Sequence, residues 1–525
     1  MEMEGSPVKL YKNLALASCS ALALAGCGGA EDIASPGTGG NVTINNNTGG
    51  GTAPPAPPPP TTPAGVTPAA GCPTVDDPQG LADAGTITGP TGTWRVCTLP
   101  ARINRSITLT KVPGLLYQMA GRVDVGTDGG FTASGADSNV TLTINPGVIV
   151  FAGTGVSWLA VNRGNRINAV GTATRPIIFT SRDNVLGLNT NDSQGQWGGV
   201  VLMGRAVVTD CSTGSTTANT CERQTEGAVD PALYGGIDDT YNCGAMQYVQ
   251  IRYSGYVLSA NSELQSLTPS GCGSATTLSH IMSYNSSDDG IEIFGGKLNL
   301  KYYVSVNADD DSLDVDTGAR VNTQFGLILQ RPGANDSFLE IDSNGRETDL
   351  PRTNIKVANY TMVQPNVNPA NEAQNQASIM LRGNSDNTWI NNVIISPNNE
   401  CLRMNGSGPV PVTLVARSTV MQCNATKYLG TGSYTATTTQ GWFGAGAHNN
   451  SDTHVSSLTG GFINGPNENA VTATNPATFD PWFTPTTYVG AVRDASDTWY
   501  AGWTCNSATA NFGPTSGSCT SLPTD

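Results

Sequence analysis

Between Tyr284 and Gly318 apolar and polar positions alternate in two short blocks, Ile291-Glu292-Ile293 and Leu313-Asp314-Val315, and a glycine turn follows each. Alternation with period two marks a strand with one buried and one wet face. The blocks are copies of one pattern. Asn285 maps to Asn307, Asp289 to Asp311, Glu292 to Asp314 and Gly296 to Gly318, each offset by 22 positions. Just upstream, Ile281 and Ser283 map to Tyr303 and Ser305. A fixed offset of this size is the mark of a solenoid in which each repeat is one coil. Strands one coil apart lie about 4.8 Å from each other. Equivalent side chains therefore stack, and here they stack acid over acid.

The same alternation recurs along the chain. Val140–Gly153 alternates, turns at Asn145-Pro146-Gly147 and alternates again; Ser157–Ser181 follows, with turns at Arg163-Gly164 and Gly171–Pro176. Strands separated by short turns, without an Asn-Gly or Asp-Gly between them, read as parallel coils rather than hairpins. Gln196–Leu202, Tyr248–Tyr253, Ile355–Met362, Ile379–Arg382 and Cys401–Met404 read as further coil strands, with Ile379 and Leu402 23 positions apart. Two loops interrupt the series, one carrying Cys211 and Cys221 and one ending at Cys272. Periodicity fades from about Lys427. The predicted fold is all-β: a right-handed parallel β-helix over 136–425, an N-terminal cap over 72–135 and an aromatic-rich C-terminal cap over 426–525. In that cap Trp482, Tyr488, Trp499 and Trp503 are expected to plug the core.

Composition agrees with turn-rich β structure: 62 glycines and only 13% charged residues. A net charge of −15 argues against nucleic acid as a partner, since that backbone needs a basic patch. It suits cations, or a solvated cell-surface protein. At the N-terminus Lys9 and Lys12 precede an apolar run, Leu14–Ala25, too short to span a bilayer. It ends in Leu24-Ala25-Gly26-Cys27, which resembles the lipobox of bacterial lipoproteins. That resemblance implies that 1–26 is a cleaved signal peptide and that Cys27 is acylated. Gly28 stands where an aspartate would imply inner-membrane retention, so the outer membrane is expected. Residues 27–71, with a proline block Pro54–Pro60, read as a tether. At about 3 Å per residue it could hold the body on the order of 100 Å from the membrane.

Cys19 leaves with the signal. Ten cysteines remain beside Cys27, an even number that in an exported chain implies disulfides. Spacing leaves their connectivity open. Neighbour pairing would join Cys72 with Cys97, Cys211 with Cys221, Cys243 with Cys272, Cys401 with Cys423 and Cys505 with Cys519.

The run L-T-I-N-P-G-V-I-V, then G-T-A-T-R-P-I-I-F-T-S, then G-Q-W-G-G-V-V-L-M-G, then D-D-G-I-E-I-F-G-G, and finally Y-V-G-A-V with W-Y-A-G-W-T resembles a family of bacterial surface lipoproteins of unassigned activity. That family is thought to be built on a right-handed parallel β-helix, and the resemblance covers roughly Val140–Thr504. It implies architecture and location more than activity. A fainter resemblance links N-x-x-D-D-G-I-E-I, followed one coil later by D-D-D, to polygalacturonase-type β-helix glycosidases. It implies that Asp289, Asp310 and Asp311 serve as catalytic carboxylates, since glycoside hydrolysis needs two in a cleft. Two features depart from that pattern. Arg331-Pro332-Gly333 stands where a Gly-His-Gly belongs, and Asn354-Ile355-Lys356 where an R-I-K belongs.

Eight acids fall between Asp288 and Asp316. One reading is a solvated face with turn aspartates bonded to their own backbone. The other is a bound cation. Stacked like charges repel unless neutralised, and hard oxygen ligands suit calcium. The candidate ligands are Asp288, Asp289, Glu292, Asp309, Asp311 and Asp314, with Lys297, Lys301 and Arg320 as competing sources of positive charge. His448 and His454 read first as surface residues. The expected function is non-catalytic binding of a glycan or a partner protein by a lipid-anchored β-helix. The alternatives are a polysaccharide hydrolase or lyase, and an accessory subunit of an outer-membrane receptor.

Overall fold

The structure is a computed structural model. It describes residues 65–524 apart from 154, 227, 229–230, 260–261, 333–335, 344–345, 369–376 and 407–409. The expected signal peptide, Cys27 and most of the expected tether lie outside the described residues.

Three stacks of parallel strands wind around one core. The first stack includes Thr141–Ile144, Arg166–Val170 and the leading halves of Gly244–Arg252, Thr277–Tyr284, Lys297–Val306, Arg320–Leu329 and Thr353–Val363. The trailing halves of those long strands join Ile149–Ala152 and Ile177–Ser181 in the second stack. The third is an 11-stranded sheet that includes Leu159–Val161, Val200–Met203, Leu267–Ser270, Ile291–Phe294, Leu313–Asp316, Leu339–Ile341, Ile379–Leu381 and Leu402–Gly406. Its inward positions, Leu159, Val200, Leu267, Ile291, Leu313, Leu339, Ile379 and Leu402, form one buried file. Every coil burying the same few side chains is what fixes the register, because a one-residue slip would turn the apolar file outward.

The bend between the first two stacks is made by residues in the left-handed region: Tyr248, His280, Tyr302, Phe325 and Asn359, with φ between 53° and 64°. Bulky residues rarely adopt that conformation. Here the side chains at the bend stack on one another, with ring centroids 4.1 Å apart for Tyr248–His280, 4.3 Å for His280–Tyr302 and 5.1 Å for Tyr302–Phe325.

The ends differ from expectation. Parallel pairing already begins at Gly92–Thr98 with Leu115–Met119 and at Arg102–Ile103 with Val123–Val125. The predicted cap over 72–135 therefore contains the first coils, whose very short strands carry little periodicity. The antiparallel strand Ala82–Gly89 and the segment before it close this end. That segment includes the last residues assigned to the tether. Val66 N–H donates to the Thr91 carbonyl (2.8 Å) and Ala69 N–H to that of Gly114 (3.1 Å), while Ala69, Cys72, Val75 and Leu81 pack on the core.

At the other end the cap is smaller than expected. Helix Ala436–Phe443, with Thr435 as N-cap, sets Phe443 into the end of the core. Trp499 and Trp503 do not plug that end. The tail returns along the outer face of the second stack as a strap. Asn359 Nδ2 donates to the Tyr488 carbonyl (2.9 Å), Gln250 Nε2 to that of Trp503 (2.6 Å) and Asn184 Nδ2 to that of Cys519 (3.2 Å). The reason is apolar. Met282, Tyr284, Val304, Val306 and Leu327 face outward from this stack and are buried only because Phe462, Val492, Tyr500, Trp503 and Phe512 cover them.

Five disulfides join Cys72–Cys97, Cys211–Cys221, Cys243–Cys272, Cys401–Cys423 and Cys505–Cys519. Among the described residues no helix is long and apolar enough to cross a membrane.

Candidate functional site

The outer face of the third stack changes character along the helix. Ala160 and Val201 point outward in register and are buried beneath the inserted loop that carries Cys211 and Cys221, and farther along that loop Tyr234 packs on Phe294 with ring centroids 6.1 Å apart. Farther along, the outward file becomes Glu292, Asp314 and Glu340 on successive strands. Met380 and then Arg403 continue it. Beside this file run the turns that enter the third stack, carrying Asp288-Asp289 and, one coil on, Asp310-Asp311. The first loop brings Glu226 to the same place, and the hairpin of Val257–Ser259 with Ser262–Glu263 brings Glu263.

These elements enclose a cavity of about 230 Å³ lined by nine carboxylates, Glu226, Glu263, Asp288, Asp289, Glu292, Asp310, Asp311, Asp314 and Glu340, with Gln265 as the remaining lining residue. Carboxylate oxygens of Asp288, Asp289 and Asp310 lie within 4.8 Å of one another, and so do those of Asp289, Glu292 and Asp314. Two of the acids also hold the coils together. Asp289 Oδ1 accepts from the Asp311 N–H at 2.8 Å, and Asp311 Oδ1 from the Ser337 N–H at 2.8 Å. Each turn carboxylate thus ties down the backbone of the next turn.

Burial followed by mutual repulsion pushes Asp288, Asp289, Glu292, Asp311 and Asp314 well above the usual carboxylate range. Asp310, at the exposed rim, is pushed up to about 6 by desolvation and by Glu340, Glu263, Asp309 and Glu226. Asp316, on the next outward position of its strand, is pushed up to about 7 by burial and by Asp342.

Some sequence expectations shift. Asp309 does not line the cavity; it turns aside to Arg331 at 3.4 Å and to Gln194. Asp310 takes its place among the clustered oxygens. The three basic residues expected to neutralise the ladder do not line it either. Arg320 pairs with Asp239 at 2.5 Å, Lys301 donates to Thr484 Oγ1 at 2.9 Å and sits over the Trp482 ring, and Lys297 is exposed on the first stack. Beside the cavity stand Arg382, paired with Glu340 and, at 3.2 Å, with Asp342, and Arg223, whose charge acts on Glu226. His454 is not a surface residue: its side chain is 7% exposed and its Nε2 lies 2.9 Å from the fully buried Glu468. Lys356, expected at best as part of a degraded R-I-K, belongs to the first stack and lies 3.8 Å from Asp480.

Glu226, Glu263 and Glu340 were missed by sequence reasoning. The loop acids carry no periodic signal. Glu340 does, because Leu339-Glu340-Ile341-Asp342 repeats Leu313-Asp314-Val315-Asp316; an insertion lengthens the spacing and hides it.

The donors fit a hard divalent cation. They are all oxygens, they converge in two overlapping triads, and Asp314 Oδ1 is buried without a hydrogen-bond partner. Among the described lining residues there is no histidine or cysteine, so the set suits calcium better than zinc.

Comparison with known proteins adds a family. A family profile described as a pectate-lyase like beta helix domain matches residues 131–504. No curated protein and no solved structure matches the chain.

Proposed function

The chain belongs to the pectate-lyase-like β-helix domain family, and from that premise we propose a calcium-loaded, non-catalytic glycan-binding protein anchored in the outer membrane through Cys27. The observation that carries this reading is the cavity of nine carboxylates, without a cationic lining residue among the described residues. So many acids around one small volume are strongly destabilising when all are ionised and unpaired. A calcium ion offsets that repulsion. It takes six to eight oxygens, and a flexible carboxylate site leaves positions open for sugar hydroxyls or a sugar carboxylate. Asp288, Asp289, Asp310, Glu292 and Asp314 would hold it. Asp289 and Asp311 act on the chain itself, which is why we assign Asp289 a structural and a ligand role and Asp311 a structural one, rather than proton transfer.

The test is co-sedimentation with a panel of acidic and neutral polysaccharides in calcium and in chelator. Binding is expected in calcium alone; equal binding in both buffers defeats the proposal. One observation favours a second, hydrolytic reading. Asp310 is exposed and held near 6 beside other carboxylates, a state in which a carboxylic acid can donate a proton. Release of new reducing ends from any panel member, lost in Asp310→Asn, would support that reading over simple binding.

A further inference from the structure

A second cavity, of about 270 Å³, lies where the strap meets the early coils, away from the acidic groove's lining residues. Its wall includes Arg175 and Arg252, with Thr174, Thr515, Ser518 and Leu522 among the other lining residues.

Arg252 is 2% exposed. Its Nε donates to Gln250 Oε1 at 2.7 Å, and Nη1 donates to the carbonyls of Cys519 at 2.9 Å and Ser521 at 3.0 Å. Nη2 also turns to Gln250 Oε1. A guanidinium has five N–H donors, so this set leaves one on Nη2 unspent. None of these acceptors is a carboxylate, and among the described residues Arg252 has no ion-pair partner. Arg175, on the same wall, is exposed, and its guanidinium makes no ion pair or side-chain hydrogen bond among the described residues. The pocket thus joins a buried cation held only by neutral acceptors to an unengaged second guanidinium, in a chain whose net charge is −15. Buried charges are costly unless neutralised, and paired guanidiniums match the planar fork of an oxyanion.

We propose that this pocket binds an oxyanion, carried as the carboxylate or sulfate of a sugar residue or free in solution. The guanidiniums of Arg175 and Arg252 grip the anion, while the threonine and serine hydroxyls and Leu522 accommodate the group that bears it. Burial lowers Arg252 to about 10, which leaves it charged at neutral pH and available for this role. Because the anion touches the strap's anchor, its binding also fastens the strap to the early coils. The proposal does not depend on calcium in the acidic groove.

The experiment uses the folded protein stripped of divalent cations and then dialysed free of chelator, whose own carboxylates would compete for the pocket, so that failure of the calcium reading cannot hide the result. Calorimetric titrations with glucuronate, sulfate and inorganic phosphate at fixed ionic strength are compared with glucose. Binding of at least one anion and none of glucose is expected. Arg175→Gln, a change at an exposed side chain, is expected to weaken binding at least about tenfold, the size of one lost charge-assisted contact. Tighter glucuronate than sulfate or phosphate identifies a sugar-borne anion; equal affinities identify a free one. No heat with any anion, or unchanged affinity in a folded Arg175→Gln protein, overturns the proposal.

Discussion

Removing divalent cations should make the protein more stable as pH falls, the reverse of ordinary acid denaturation. The perturbation is a shift from pH 8 to pH 5 in chelator. A carboxyl raised in the folded state keeps its proton at a pH where the unfolded chain has lost it. Its contribution is therefore unfavourable at high pH and is relieved as pH falls through the folded value towards the unfolded one. Asp316, 5% exposed, is held near 7 against an ordinary 3.8. That shift alone corresponds to roughly 4 kcal/mol between pH 8 and pH 4, and most of it falls above pH 5. At roughly 2 cal/mol/K of unfolding entropy per residue, a change of that size moves the melting temperature of a chain this long by about 4 °C. Asp288, Asp289, Glu292, Asp311 and Asp314 shift in the same direction and add to the slope. Glu468 works the other way. Burial raises it, but hydrogen bonds from His454 and Ser457 prevail and hold it near 2, so its stabilisation is lost only below about pH 4.5, outside the window. His280, which burial holds near 4 against an ordinary 6.5, opposes the climb inside the window, because the stability of its neutral form is lost as pH falls below about 6.5; the raised carboxyls together outweigh this single group.

The assay is differential scanning calorimetry across this range, with and without calcium. In chelator the melting temperature should climb by several degrees from pH 8 to pH 5, and Asp316→Asn should flatten the climb. In saturating calcium the climb should shrink, because the ion replaces the protons. A melting temperature in chelator that is level or falls over the same range would refute the claim that the ladder is electrostatically frustrated.

Three further outcomes follow from the same reasoning. Cys27→Ser should move the protein from the membrane to the soluble fraction, and an unchanged membrane fraction would remove the lipid anchor. Reduction should lower the melting temperature, since disulfides of this kind contribute roughly 2–4 kcal/mol each; insensitivity to reductant would show that the five bridges do not form in solution. Far-ultraviolet circular dichroism of the body should show strand as the dominant structure, and helix near one third would contradict the coil architecture.

The coils were legible where nothing interrupts them. From Leu278 to Leu329 each coil is 22 or 23 residues, so stacking could be read by offset alone. Legibility failed for three physical reasons. Strands of two or three residues, such as Arg102–Ile103, carry too little alternation to signal a coil. Inserted loops shift the offset, which hid Glu340, and deliver Glu226 and Glu263 from segments without any period. The strap has no period either, because it packs through scattered aromatics and side-chain bonds to backbone rather than through a ladder. Its presence was still implied by the second stack, where Met282, Tyr284, Val304 and Val306 make both faces apolar. A strand with two apolar faces needs a cover on each.

The two sharp readings of the ladder can be separated at Asp289 and Asp311. They occupy equivalent turns of adjacent coils, joined through the bond from Asp311 N–H to Asp289 Oδ1. Strand spacing puts such carboxylates about 5 Å apart, where two charges repel by about 1–3 kcal/mol at surface-like dielectrics. The double change Asp289→Asn with Asp311→Asn removes both charges and keeps a carbonyl oxygen able to accept the next turn's N–H, so the coils should still close. If calcium is what offsets the repulsion, wild-type protein should lose melting temperature on chelation and the double variant should not. If the carboxylates instead share protons for glycan cleavage, chelation should do little in either protein, while each single change should stop the release of reducing ends. Wild-type protein indifferent to chelator, and a double variant with unaltered stability and glycan binding, would reduce the ladder to a solvated face whose aspartates serve only to fasten one coil to the next.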